Sequence, residues 1–158
     1  MRLIIGLGNP GREYLSTRHN AGYLLVDRLQ KTKFPKDVVV KKSNVFMNES
    51  GGFIHKLVDH YSLAIDHLYI AHDDLDIPLG SYKIQFGIGP KVHNGVNSVE
   101  TELGSKDFWR IRIGVDNRAA GSRLEGEEYV LQNFTEGERK TLEGVLGKIC
   151  KEIDHLLQ

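Results

Sequence analysis

The feature that most narrows the possible folds lies at the start of the chain, where Leu3-Ile4-Ile5 runs into Gly6-Leu7-Gly8-Asn9-Pro10-Gly11. A short apolar run rich in β-branched residues and closed by glycines reads as a buried strand. Gly8 to Gly11 forms a sharp turn, and a short polar loop then brings Arg18, His19 and Asn20 to the start of a helix. Asn9 and His19 are thereby presented from a strand end and a helix start, which are rigid places to mount chemistry.

The same glycines match the pattern G-x-G-x-x-G after a strand, as a dinucleotide fingerprint does. The rest of that motif is missing. A dinucleotide-binding helix opens inside the glycine cluster so that its N–H groups meet the pyrophosphate. Here Pro10 pushes Asn9 toward an extended conformation and Gly11 prolongs the turn. The acidic residue required after a second strand is absent, because the nearest candidate, Asp27, falls inside a helical pattern. A nucleotide-binding oxidoreductase is therefore a poor reading, and no cofactor is expected.

With 158 residues the chain suits one domain spanning 1–158. No apolar run approaches the length of a membrane span, and a single cysteine, Cys150, forms no internal disulfide, so a cytoplasmic protein with no membrane partner is expected. Cys150 lies on an apolar helical face, where an inert core thiol is expected. The formal net charge of zero argues against a protein that coats nucleic acid without specificity, though not against one that grips a few phosphates locally.

Along the chain, Ala21, Leu24, Leu25 and Leu29 recur at helical spacing, with Thr17 as a candidate N-cap. Val38-Val39-Val40 reads as a short strand. A second helix runs from about Phe46 to Tyr61, with Phe53, Ile54, Leu57, Val58 and Tyr61 as its buried stripe. Leu68 to Ala71 reads as a central strand that discharges into His72-Asp73-Asp74, placing Asp73, like Asn9, at a carboxyl end where open α/β sheets bind ligands. Ser81 to Phe86 alternates as a strand, and a loop from Gly87 to Gly95 leads to a helix carrying Val96, Val99 and Leu103. Trp109 to Val115 alternates again, with Arg110 and Arg112 on one face. Tyr129-Val130-Leu131 reads as a short edge strand, and a last helix from about Thr135 buries Leu142, Val145, Leu146, Ile149, Ile153 and Leu156. Alternating strands and helices give an α/β fold: a single three-layer domain with a twisted, mixed but mostly parallel sheet flanked by helices.

Six segments stand out together: Gly6 to Gly11, Thr17-Arg18-His19-Asn20-Ala21-Gly22, Phe46-Met47-Asn48-Glu49-Ser50-Gly51, Ala71-His72-Asp73-Asp74-Leu75-Asp76, His93-Asn94-Gly95 and Arg112-Ile113-Gly114. Singly, each has a plain structural explanation: a turn asparagine, a capping histidine, an acidic loop, surface cations. In this order and number they resemble bacterial-type peptidyl-tRNA hydrolase, across most of the chain. The resemblance implies a phosphorylase/hydrolase-like fold, a monomer, and hydrolysis of the ester joining a peptide to the terminal ribose of tRNA. It implies His19 as catalytic base, Asp73 as the carboxylate that orients it, and Asn9, Asn48 and Asn94 as holders of the scissile carbonyl, the water and the peptide backbone. It places Tyr14, Met47 and His93 along the cleft and Lys83 and Arg112 against tRNA phosphates. It implies peptidyl-tRNA as partner, no DNA, and no metal. A catalytically silent RNA-binding relative, like the intron-splicing factors of this fold, is the alternative.

The residues suit that chemistry on their own terms. There is no Gly-x-Ser-x-Gly elbow, and Cys150 is badly placed for a covalent route, which leaves water activated by an imidazole. A helix start lowers the pKa of His19 and a nearby Asp73 raises it, so a base close to neutrality is expected. The chain departs from the family in a shortened connection between the first helix and Phe46, a loop of Gly87-Ile88-Gly89-Pro90-Lys91-Val92 poorer in glycine, Gln85 where a basic residue is expected, and a shortened C-terminus.

Overall fold

The computed structural model describes every residue from Met1 to Gln158. Strands β1 (Arg2–Gly6), β2 (Val38–Lys42), β3 (Leu68–Pro78), β4 (Tyr82–Phe86) and β5 (Trp109–Asp116) form one sheet in the order β2-β1-β3-β5-β4. All pairings are parallel except that of β4 with β5. Leu3, Ile4 and Ile5 are all fully buried, Ile4 on one face and Leu3 and Ile5 on the other. Each such side chain contributes roughly 1.5–3 kcal/mol by leaving water, which commits β1 to the interior.

Helices α1 (Ala21–Leu29), α4 (Gly126–Val130) and α5 (Glu136–Leu157) cover the Ile4 face. Helices α2 (Ser50–His60) and α3 (Asn94–Leu103) cover the other. The molecule is thus the expected three-layer α/β domain. The segment between α1 and α2 holds a single strand, β2, at one edge of the sheet. The start of α1 lies directly on the strand ends. A Cβ on Gly22 would stand 2.4 Å from the carbonyl oxygen of Ala71, and one on Gly6 would stand 2.4 Å from that of Gly22. Gly6 of the false fingerprint therefore serves close helix–sheet packing, and α1 opens well past those glycines, at Ala21.

Several local expectations are corrected. Thr17 does not cap α1: its hydroxyl donates to the Tyr14 carbonyl, and a 3₁₀ turn, Arg18–Asn20, precedes the helix. The second helix likewise opens with a 3₁₀ turn, Met47–Glu49, and within its stripe only Ile54 and Val58 are buried. Tyr129-Val130-Leu131 is not a strand, since Tyr129 and Val130 belong to or end α4. Both enter one apolar cluster, whereas successive strand residues point to opposite faces. Glu127 and Glu128 also favour a helix N-terminus. In α5, whose start is fixed by a Thr135/Glu138 capping box, Leu157 rather than Leu156 turns inward.

The largest departure concerns β3, which does not stop at Ala71 but continues to Pro78. Its polar residues stay paired in register with β5, with His72 beside Arg112, Asp73 beside Ile113 and Asp74 beside Gly114. The pairing holds because the charged side chains have partners: Arg112 Nε donates to Asp74 at 2.7 Å.

Candidate active site

The site forms where neighbouring strands part. β1 pairs with β3 only as far as Gly6 and Ala71, and the last bond between them runs from the Leu7 N–H to the Ala71 carbonyl. β3 continues with β5 on one side and no β1 neighbour on the other, so Asp73 sits at an opening inside a strand rather than at a strand end.

His19 enters this opening from the 3₁₀ turn ahead of α1, with its Nδ1 2.8 Å from Asp73 Oδ2. His93, at the N-cap of α3, reaches the other carboxylate oxygen, Nε2 to Oδ1, at 2.8 Å. Its Nδ1 accepts the Val96 N–H at 3.1 Å, so the His93 proton resides on Nε2 and is donated to Asp73. Asp73 is thus a buried acceptor gripped by two imidazoles. Burial works against its charge, but His19 and His93 outweigh it and hold the carboxyl well below the usual carboxylate range. A carboxylate accepts only, so His19 donates through Nδ1 and keeps a lone pair on Nε2. Burial pushes the His19 pKa down, but the charge and hydrogen bond of Asp73 prevail and raise it above its ordinary 6.5.

Asn9 is fixed beside this pair. Its backbone N–H donates to Asn20 Oδ1 and its carbonyl accepts from Asn20 Nδ2, both at 2.9 Å. Its own Oδ1 accepts the Met47 N–H at 2.8 Å, which settles the orientation of the amide and leaves the Nδ2 donors without a protein partner. The imidazoles of His19 and His93 lie 5.1 Å apart. The ensemble offers a base, its orienting carboxylate and a fixed amide donor, the three parts that hydrolysis of an ester through activated water needs.

The peptidyl-tRNA hydrolase family model matches residues 3–158. This chain belongs to the peptidyl-tRNA hydrolase family. A peptidyl-tRNA hydrolase of Desulfitobacterium hafniense is 37% identical, with 97% of this chain and 91% of that protein covered. One of Mycolicibacterium vanbaalenii is 40% identical over 91% of this chain and 84% of the other. Among solved structures, the peptidyl-tRNA hydrolase of Acinetobacter baumannii superposes with a TM-score of 0.85 at 29% identity, covering 99% of this chain and 88% of its own.

The sequence-derived site residues of this peptidyl-tRNA hydrolase family member fall into two groups. Asn9, His19, Asp73, Met47 and His93 form two bonded sets, His19–Asp73–His93 and Asn9–Met47, linked through Asn20 of the turn that carries His19. Asn48 and Asn94 flank them, exposed, each beside a member of one set, and Tyr14 packs edge-on to Phe46 at the rim with ring centroids 6.4 Å apart. Lys83 is exposed on β4, directly across from Arg112. Arg112 itself is not at the surface. It is 7% exposed, its Nε held by Asp74 and one terminal nitrogen by Gln85 Oε1 at 2.7 Å. Arg110 is fully buried, satisfied by Glu100 and by the carbonyls of Gly89, Lys106 and Phe108. The alternation along β5 is as expected, but this face is covered by the 87–93 loop and α3.

Asn20, which locks Asn9, received no role from sequence reasoning; its signal was an amide next to the histidine at a helix start. His72 was also missed. It is fully buried, its Nδ1 donates to the Asp73 carbonyl at 2.8 Å, and its Nε2 has no partner. Burial, reinforced by His93, lowers its pKa to about 3. The donor atoms of His19, Asp73 and His93 lie within 4.8 Å of one another, as metal ligands could. They face one another as hydrogen-bond donors and acceptor, so a cation would have to displace both imidazole protons from Asp73.

The buried neutral His72 has a consequence for stability. An unfolded chain takes up a proton at this histidine below about pH 6.5 and the folded chain does not, so stability falls with falling pH. Between pH 6.5 and 4.5 this group alone is expected to remove up to about 1.4 kcal/mol per pH unit. Urea unfolding at pH 6.5 and 5 checks it: His72→Phe, which cannot protonate, is expected to lose that part of the slope.

Proposed function

We propose that the chain hydrolyses the ester between the peptide and the 3′-terminal ribose of peptidyl-tRNA, with His19 as the base that activates water. The observation that carries this reading is the hydrogen bond from His19 Nδ1 to Asp73, which leaves the opposite ring nitrogen basic. Water gives its proton to His19 Nε2 as its oxygen attacks the ester carbonyl. The Asn9 Nδ2 donors meet the negative charge that forms on the carbonyl oxygen. The intermediate collapses by expelling the ribose oxygen, which recovers the proton from His19. Asn48 and Asn94 hold water and the peptide backbone, while Tyr14, Met47 and His93 line the cleft.

Release of an N-blocked aminoacyl group from tRNA is the direct test. The wild type is expected to cleave, and His19→Ala is expected to lose about 10²–10⁴-fold, the range of general-base catalysis. Binding without any wild-type cleavage would hand the case to a silent RNA-binding relative, a reading the joint presence of His19, Asp73 and Asn9 disfavours. Because the base acts neutral, kcat/KM rises with pH through a His19 pKa that lies above 6.5.

Lys83 supplies a phosphate contact. With Arg112 occupied by Asp74 and Gln85, the grip on tRNA is light. Lys83→Ala is expected to flatten the dependence of log Kd on log salt by about 0.7–0.9 and to spare turnover at saturating substrate. An unchanged slope removes Lys83 from the interface. The reading carries with it a monomer acting in the cytoplasm on RNA rather than DNA; no helix is long and apolar enough to cross a membrane.

A further inference from the structure

Arg18, directly before His19, is 5% exposed and engages elements far along the chain. One terminal nitrogen donates to Glu138 Oε1 at 2.7 Å and the other to the Tyr129 carbonyl at 3.1 Å. Its guanidinium carbon lies 3.9 Å from the centroid of the Tyr129 ring, and its backbone N–H donates to the Gln132 carbonyl. Glu138 cannot follow a shift of Arg18, because its oxygens also accept from the Thr135 N–H at 2.8 Å and Asn117 Nδ2 at 3.0 Å. Asn117 leads back to the sheet: its N–H donates to the Tyr129 hydroxyl, which donates to the Val115 carbonyl in β5.

We propose that the buried Arg18–Glu138 pair is a positioning device for His19, fixing the three-residue turn that carries the imidazole relative to β5. The inference rests on His19 being the base. In that turn Arg18 and Asn20 are buried and His19 alone faces the opening, so the imidazole is suspended between two anchors. Asn20 ties it to Asn9, and Arg18 ties it to α4, α5 and the end of β5. Asp73 takes its position from the same strand, through its pairing with Ile113. Base and carboxylate are therefore referenced to one element, which is what a 2.8 Å contact between distant segments requires. A purely stabilising role fits less well. A buried ion pair is often no better for stability than apolar residues of like volume, and here Arg18 Nε is left without a partner.

The test compares Arg18→Met, the double variant Arg18→Met/Glu138→Leu, and Glu138→Gln, which keeps one oxygen to accept from Arg18 and gives up the acceptor for Asn117. If the apolar variants fail to fold, Arg18→Lys, which keeps the charge but reaches only one of the two acceptors, carries the same comparison. Leu146→Ala, in the core of α5, serves as a control for lost stability alone. Two readouts are taken on folded protein, single-turnover hydrolysis and NMR titration of the His19 ring. In the double variant kcat is expected to fall by about 10–100-fold, the cost of misplacing a catalytic group by up to about 1 Å. KM is expected to stay within about twofold and the His19 midpoint to drop toward 6.5 as the Asp73 bond loosens. Glu138→Gln is expected to retain most of kcat, and Leu146→Ala to lower Tm without moving either readout. A folded double variant with the wild-type His19 titration overturns the proposal, whatever its kcat. Failure of the wild type to hydrolyse would instead strike the functional reading, and the titration would still judge this one.

Discussion

Replacing Asp73 by Asn is expected to cost on the order of 10⁴ in kcat, the loss that follows when an imidazole base is left with its proton on the wrong nitrogen. The argument depends on His93. Its Nδ1 is committed to the Val96 N–H, so its Nε2 must donate. An asparagine at 73 can accept that bond only by turning its Oδ1 toward His93, which turns its NH₂ toward His19. His19 Nδ1 must then accept, and the proton moves to Nε2, the atom that should take a proton from water. The variant keeps the shape of the cluster and a hydrogen bond at every contact, so circular dichroism and Tm are expected to change little while turnover collapses. A rate within tenfold of wild type would show that the tautomer of His19 does not govern the reaction.

Asn9→Asp is expected to lower kcat by at least about 10²–10³-fold, the value of one oxyanion donor, about 2.7–4 kcal/mol. The substitution is nearly isosteric. The Met47 N–H still finds a carboxylate oxygen, and the reciprocal backbone bonds with Asn20 are untouched, so the loop is held as before. What changes is the free end of the side chain, where two donors become a negative charge beside a carbonyl that is gaining one. Single-turnover hydrolysis at saturating substrate isolates this step. A loss confined to KM would place Asn9 in ground-state binding and take the oxyanion role away from it.

Much of this could be read from the residues because the relevant signals are local. β1 declares itself through three consecutive apolar residues ended by glycine, and α5 through an apolar stripe at helical spacing that begins after Thr135. His19 and Asn9 are legible because one stands at a helix start and the other in the turn after a strand. What the sequence hid depends on partners far along the chain. His72-Asp73-Asp74 looks like the end of a strand because its residues are polar, yet β3 runs on. Histidines 19 and 93 donate to the Asp73 carboxylate and Arg112 to that of Asp74, which no window of sequence reveals. Arg112 reads as a surface cation by alternation alone, and its burial depends on Asp74 and Gln85 meeting it across two strand pairings. Tyr129 and Val130 carry strand-forming side chains but sit in a short helix, because both must enter one cluster and Arg18 stacks on the Tyr129 ring.

The central claim is that the fold delivers His19 with its proton on Nδ1 and a bare Nε2. Nitrogen-15 NMR of the imidazole in labelled protein, at a pH above the measured midpoint of its titration, reads this directly. The expected spectrum has a protonated Nδ1 and an unprotonated Nε2 for His19 in the wild type, reversed in Asp73→Asn. A wild-type His19 protonated on Nε2 at that pH would contradict the account, since no base would then stand ready for the water.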